Sequence, residues 1–141
     1  TTAIENPQGV DVVDLDGDGD LDLLVCSQGP DQIAWLENAG TGSFAAPVVL
    51  SSECIGIKDV EAADLDGDGI MDLLFACLLD DEIAWQRNLG NVSFGAKQTL
   101  VSGSLGDFGP FDVDACDLNG DGDPDILFTS LFGSSVGWIE N

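Results

Sequence analysis

The sequence predicts an all-β fold, a β-propeller built of four-stranded antiparallel blades, three of them in this chain. Three observations predict it. An acidic string, Asp14-Leu15-Asp16-Gly17-Asp18-Gly19-Asp20-Leu21-Asp22, returns at residues 64–72 and again at 117–125. The same offsets, 50 and then 53 residues, carry Trp35 to Trp85 to Trp138 and Asn38 to Asn88 to Asn141. Around each string stand short apolar runs, rich in branched residues and bounded by turn residues, which read as strands. A repeat of this length holding four short strands is what a propeller blade requires. A solenoid coil would need a shorter period, and a sandwich would not repeat residue by residue.

The repeats run over residues 10–50, 60–101 and 111–141 of a single domain. Each opens on an alternating segment (10–13, 60–63, 113–116) that runs into the acidic string. An apolar second strand follows, at 21–26, 71–77 and 126–128, then a turn. The third strand carries the tryptophan, at 33–37, 83–87 and 136–140. Glycine-bearing turns lead to a fourth strand at 43–50 and 93–101. The third repeat stops after its third strand. Residues 1–4 read as one more strand, which would complete the last blade of this or a neighbouring chain. Three blades are fewer than propellers use. The chain is therefore expected to be a segment of a larger propeller, or to associate with further copies of itself into a six-bladed dimer or a filament. Its first residue, Thr1, reads as the start of a processed chain or of a piece of a longer one.

Charge narrows the functional classes. The net charge is −24, and Lys58, Arg87 and Lys97 are the only cations. Nucleic acid and anionic membrane surfaces demand clustered Lys and Arg, so neither is an expected partner. No apolar run is long enough to insert in a bilayer as a helix. A hydrophobic content of 44% sets the chain apart from disordered acidic tails. There is no histidine and no tyrosine, which removes Ser-His and Cys-His nucleophilic chemistry. The obvious carboxylate pairs read as metal ligands, so no enzyme is expected.

Of the 27 acidic residues, 13 lie in the three strings, where close carboxylates repel unless a hard cation sits among them. Side-chain oxygens stand at loop positions 1, 3, 5 and 9, with glycine at 4 and 6. These are Asp14, Asp16, Asp18 and Asp22; Asp64, Asp66, Asp68 and Asp72; and Asp117, Asn119, Asp121 and Asp125. Position 7 is Asp20, Ile70 and Asp123. A position that accepts Ile does not need its side chain, so its backbone carbonyl is the expected ligand. Calcium takes six to eight oxygens and suits this set. Three Ca²⁺ sites are expected, structural in role. An EF-hand is excluded, because position 12 is Val25, Phe75 and Phe128 rather than Glu, and strands flank the loops.

Four cysteines occur without CxxC spacing or histidine, which argues against zinc. Strand direction places Cys26, Cys54 and Cys77 at the end of the blades away from the acidic loops, and Cys116 at the other. Cys54 is expected to pair with Cys77 or Cys26, leaving Cys116 a buried thiol. Disulfides, low-affinity calcium sites and the sequon at Asn91 fit an extracellular, glycosylated protein. The tryptophans are expected to pack between blades rather than to stack on sugars. The irregular turns 29–32, 79–82 and 132–135 differ between repeats and are the better ligand-contacting candidates.

The Asp-x-Asp-Gly-Asp-Gly-x-x-Asp pattern, kept in all three repeats save for Asn119, resembles the FG-GAP/VCBS repeat family, whose repeats build the propeller of integrin α-subunits. Asp18-Gly19-Asp20-Leu21-Asp22-Leu23-Leu24 and Ile33-Ala34-Trp35-Leu36-Glu37-Asn38 are similar to VCBS-type repeats. Phe44 and Phe94 stand at the family's Phe-Gly site, with its glycine kept as Gly95. Gly29-Pro30 falls near the family's Gly-Ala-Pro turn, which the other two repeats lack. The resemblance implies a propeller with calcium in the loops. It also implies adhesion, glycan recognition or structural assembly, so a protein or glycan ligand is the expected partner.

Overall fold

The computed structural model describes residues 4–103 and 107–141. Among these are eleven strands and no helix. The first sheet holds β1 (Pro7–Val13), β2 (Asp22–Ser27), β3 (Gln32–Leu36) and β4 (Val48–Ser51). The second holds β5 (Ile57–Ala63), β6 (Asp72–Cys77), β7 (Glu82–Gln86) and β8 (Gln98–Ser102). The third holds β9 (Pro110–Cys116), β10 (Asp125–Ser130) and β11 (Ser135–Ile139). Strands follow one another in chain order across each sheet, every pair antiparallel. This is the blade-like meander that the repeats predict.

The repeats agree in register. Val13 faces Asp22, Ala63 faces Asp72 and Cys116 faces Asp125, so each acidic string is the connection between the first two strands of its sheet. Gln8, Lys58 and Phe111 stand at equivalent bulges in the first strands.

The sheets pack face to face in series: β5 lies against β1 and β2, and β9 against β5 and β6. One apolar cluster joins Leu24, Cys26 and Ile33 of the first sheet to Val60, Leu73, Phe75 and Ala84 of the second. A second joins Leu74, Ala76 and Ile83 to Val113 and Ile126 of the third. Strand β6 explains its own composition. Successive side chains point to opposite faces. Leu73 and Phe75 therefore enter one cluster, and Leu74 and Ala76 the other. Both faces are covered, so the strand reads as a continuous apolar run rather than an alternation. Each fully buried Leu or Phe there contributes about 1.5–3 kcal/mol.

Trp35 and Trp85 pack against these clusters, as expected of interblade side chains. Lys58 ties all three sheets: its Nζ donates to Gln28 Oε1 at 2.9 Å and stands 5.7 Å from the Phe111 ring centre.

Three expectations need correction. The fourth strands start later than the apolar pattern suggests, at Val48 and Gln98, preceded by isolated bridges from Asn38 to Phe44 and from Asn88 to Phe94. In the first sheet Pro47 stands just before the strand and has no N–H to give a ladder. Of the two pairings expected for Cys54, the one with Cys77 forms, and Cys26 is a free buried thiol whose Sγ accepts the Gly9 N–H at 3.1 Å. Burial pushes the Cys26 thiol up to about 11. Cys116 is exposed, not buried. It occupies the place of Val13 and Ala63, which the following sheet covers; nothing among the described residues covers it. Of the strand expected at residues 1–4, residues 1–3 lie outside the described ones, and Ile4 belongs to no strand.

Candidate metal centre

The three acidic loops are wound by closely similar sets of backbone-to-side-chain bonds. In the first, Asp14 accepts the N–H of Gly17 at 2.9 Å and of Gly19 at 3.0 Å, one on each oxygen. Asp16 accepts from Asp18, and Asp18 from Asp20. The second loop repeats this: Asp64 accepts from Asp68 and Gly69, Asp66 from Asp68, and Asp68 from Ile70. So does the third: Asp117 accepts from Gly120, Asp121 and Gly122, Asn119 from Asp121, and Asp121 from Asp123. The winding needs φ of 81° at Gly17 and 95° at Gly19, left-handed values that glycine adopts without steric cost.

This winding draws the side chains together. One oxygen from each of Asp14, Asp16 and Asp18 lies within 4.8 Å of the others, and the same holds for Asp64, Asp66 and Asp72. Calcium–oxygen distances of roughly 2.3–2.6 Å place two ligands on opposite sides of an ion about 5 Å apart. The oxygen-only donor sets and their spacing therefore fit a calcium ion. Loss of solvation first, then the neighbouring carboxylates Asp18, Asp22 and Asp14, raise the Asp16 carboxyl above its ordinary value. A cation would relieve that repulsion.

Position 7 stands apart. The Asp20 carboxylate lies against Gly40, where an added Cβ would meet Asp20 Oδ2 at 2.5 Å. Its side chain is thus turned toward the β3–β4 connection, and Ile70 occupies the same position in the second loop.

Position 9 has a further task. Asp22 is buried; its Oδ2 accepts the Leu15 N–H at 3.3 Å and the Trp35 Nε1–H at 2.8 Å, and its Oδ1 accepts the Asn38 N–H at 2.8 Å. Asp72 accepts from Leu65 and Asn88, and Asp125 from Leu118 and Asn141. Each of these carboxylates ties its acidic loop to the end of the tryptophan strand. The Asn register has a side-chain reason as well: Nδ2 of Asn38 and of Asn88 donates to the carbonyl of Leu21 and of Met71, each at 3.0 Å.

The second loop differs from its neighbours. Arg87 Nε lies 2.6 Å from Asp66 Oδ2, and Nη2 lies 2.8 Å from Asp68 Oδ2. The bond to Arg87 holds the Asp68 carboxyl below its ordinary value. Glu37 and Glu140 stand at the equivalent positions. In the third loop, Asn119 Nδ2 donates to Asp121 at 3.0 Å and Glu140 at 3.3 Å.

Sequence reasoning missed a second repeated device, at the opposite end of the sheets. Asp31 Oδ1 accepts the N–H of Gly56 at 3.0 Å, and Asp81 Oδ1 that of Gly109 at 2.6 Å, each from one sheet to the next. Asp31 and Asp81 have φ of 51° and 61°. The matching glycines, 53 residues apart, were the available signal. Asn91 is exposed in the β7–β8 connection. In the turns singled out as variable, Leu79 and Phe132 are exposed.

The FG-GAP-like repeat family matches residues 4–75 and 76–128. The chain belongs to the FG-GAP-like repeat family. No curated protein matches it. Among solved structures, it is similar to a lectin of Agrocybe aegerita described as specifically recognising non-reducing terminal N-acetylglucosamine. The identity is 19% and the TM-score 0.56. The match covers 84% of this chain and 32% of that one, so the FG-GAP-like chain spans about a third of the lectin's length. At that identity the likeness speaks for the fold.

Proposed function

We propose that this FG-GAP-like chain is a calcium-stabilised β-propeller module of an extracellular protein, and that it binds a glycan or protein ligand through its loops. One observation carries the reading: three loops share a similar winding, and the first two each gather three carboxylates within calcium-ligand spacing. Asp14, Asp16, Asp18 and Asp22, with the Asp20 carbonyl, would hold one ion. Asp64, Asp66, Asp68 and Asp72 with the Ile70 carbonyl, and Asp117, Asn119, Asp121 and Asp125 with the Asp123 carbonyl, would hold two more. Bound calcium would supply charge neutralisation and fix the loops, with no catalytic step. The Cys54–Cys77 disulfide supports an oxidising compartment. The exposed Asn91 is accessible to a glycosyltransferase.

Ligand recognition is assigned to the irregular turns. Their exposed Leu79 and Phe132, and their differences between repeats, suit side-by-side contacts of unlike chemistry on a repeated scaffold. The similar lectin supports a glycan as the first class to try. A glycan array that includes terminal N-acetylglucosamine, probed in calcium and again in EDTA, tests this part. Calcium-dependent binding to a defined glycan set is the expected result. Absence of any glycan binding by a folded, calcium-loaded protein would leave protein ligands as the class.

A further inference from the structure

Three positions depart from the repeat together, where the first sheet meets the second. Gln86, the last residue of β7, stands where the other repeats have Leu36 and Ile139. Ser51 at the end of β4, and Glu53 just beyond it, stand where the second repeat has Val101 and Gly103. All three line one cleft of about 430 Å³. That size falls within the roughly 300–1,000 Å³ of small-ligand pockets. Every lining residue lies between 49 and 96, so the cleft owes nothing to where the sequence begins or ends.

Gln86 is 4% exposed, and only half of its amide is satisfied. Nε2 donates to the Gly95 carbonyl at 2.9 Å and to Glu53 Oε2 at 3.2 Å. Two acceptors on that side fix the orientation of the amide. Oε1 is buried and, among the described residues, has no hydrogen-bond partner. A buried acceptor left unpaired costs stability, and the leucine of the first repeat would avoid that cost. Glu53 Oε2 also accepts the Lys97 N–H at 3.0 Å, and the Ser51 hydroxyl accepts the Glu53 N–H at 3.4 Å. What the cleft has left to offer is therefore acceptors, one of them on a carboxylate. Val49, Leu50 and Phe94 add an apolar wall.

We propose that this cleft binds a primary alkylammonium group. An ammonium carries three N–H donors and no acceptor. Gln86 Oε1, Glu53 Oε1 and Ser51 Oγ would take one donor each, and the alkyl stem would lie along Val49 and Phe94. A calcium ion wants six to eight oxygens, more than these three side chains supply. A guanidinium fork wants both oxygens of a carboxylate, and Glu53 Oε2 already accepts two N–H groups. The net charge of −24 favours a cation over a neutral donor at long range. The group comes from a free amine or from a lysine side chain of a partner. The cleft is separate from the acidic loops and from the irregular turns.

The test is an NMR titration with n-butylamine and with a blocked lysine peptide, in excess calcium so that the acidic loops are filled. The wild type should show saturable shifts at the Gln86 side-chain amide and the Gly95 N–H. Gln86→Leu removes the acceptor and leaves the net charge unchanged. It should weaken binding at least about tenfold, the worth of one hydrogen bond to a charged group. Glu53→Gln, at an exposed residue, should weaken it similarly, with circular dichroism as the check on folding. Tighter binding of the peptide assigns a partner's lysine, and equal or tighter binding of butylamine assigns a free amine. No saturable shift with either probe overturns the proposal. So does equal binding by the wild type and Gln86→Leu, because the attraction of an acidic surface for any cation then explains the shifts. Should Gln86→Leu unfold, Glu53→Gln decides with the same outcomes.

Discussion

The Oδ1 of Asp72 accepts the backbone N–H of Asn88 at 2.7 Å, joining the last residue of an acidic loop to the chain 16 residues onward. Asp22 with Asn38 and Asp125 with Asn141 repeat the bond at the same separation. Position 9 is therefore a cross-tie of the sheet as well as a proposed metal ligand. Its cost should show even without metal. In EDTA, Asp72→Ala should lose about 3 kcal/mol in urea unfolding, because it orphans two buried N–H groups. Asp20→Ala should change stability by under about 0.5 kcal/mol. Equal losses would refute the cross-tie.

Glu61 makes stability depend on pH. It sits on β5 beside Asp11, Asp59, Asp112 and Asp114 from the three first strands. Burial first, then these carboxylates, push its carboxyl up to about 7 from an ordinary 4.5. The folded state thus favours the neutral acid. Its contribution is present in full below about pH 4.5, declines as pH rises, and is gone above about pH 7. Glu61→Gln should raise the melting temperature at pH 8 and leave it unchanged at pH 4. The gain should be on the order of 1 kcal/mol, because the group is partly exposed and solvent screens it. A larger gain at pH 4 than at pH 8 would reverse the sign and refute the account.

Arg87 makes the three loops unequal. A guanidinium on Asp66 and Asp68 competes with a divalent cation for the same carboxylates. Arg87→Gln should tighten calcium at one of three sites by roughly threefold, as expected for removing one screened neighbouring charge. Calorimetric titration resolves the sites. An unchanged isotherm would show that Arg87 swings aside at no cost.

The Cys54–Cys77 bond ties the β4–β5 connection to the end of β6, across a sequence separation of 23. Restriction of the unfolded chain by a loop of that length is worth about 3 kcal/mol in the entropic model. The double change Cys54→Ala with Cys77→Ala should cost at least that much in urea unfolding. A loss below about 1 kcal/mol would mean that native packing alone holds the connection.

Much of this molecule was legible because its repeats carry one physical problem three times. The loop position, the Trp and Asn register and the central apolar strands all follow from local spacing. The rest depends on what lies across a sheet. Cys116 was expected to be buried, and its equivalents Val13 and Ala63 are half-buried against the next sheet; exposure at that site is set by the next sheet, which no local pattern encodes. The late starts of β4 and β8 go with the N–H groups of Ala45 and Gly95, which bond to the carbonyls of Glu37 and Arg87 ahead of the strands. Arg87 stands where the other repeats carry Glu37 and Glu140 and reaches back to Asp66 and Asp68. The Asp31–Gly56 tie spans 25 residues, signalled only by the glycines shared at 56 and 109. Gly109 shows the type well: an added Cβ would run into the Phe132 ring, a neighbour 23 residues away in the chain.

The central claim is that the three loops hold calcium and that the fold depends on it. Thermal melting of metal-stripped protein, in EDTA and then with calcium added back, tests it most directly. Each site filled to 100 times its Kd adds about 2.7 kcal/mol. Three such sites should raise the melting temperature by more than about 10 °C, with titration ending at three ions per chain. An unchanged melting temperature, with no ion retained, would contradict it.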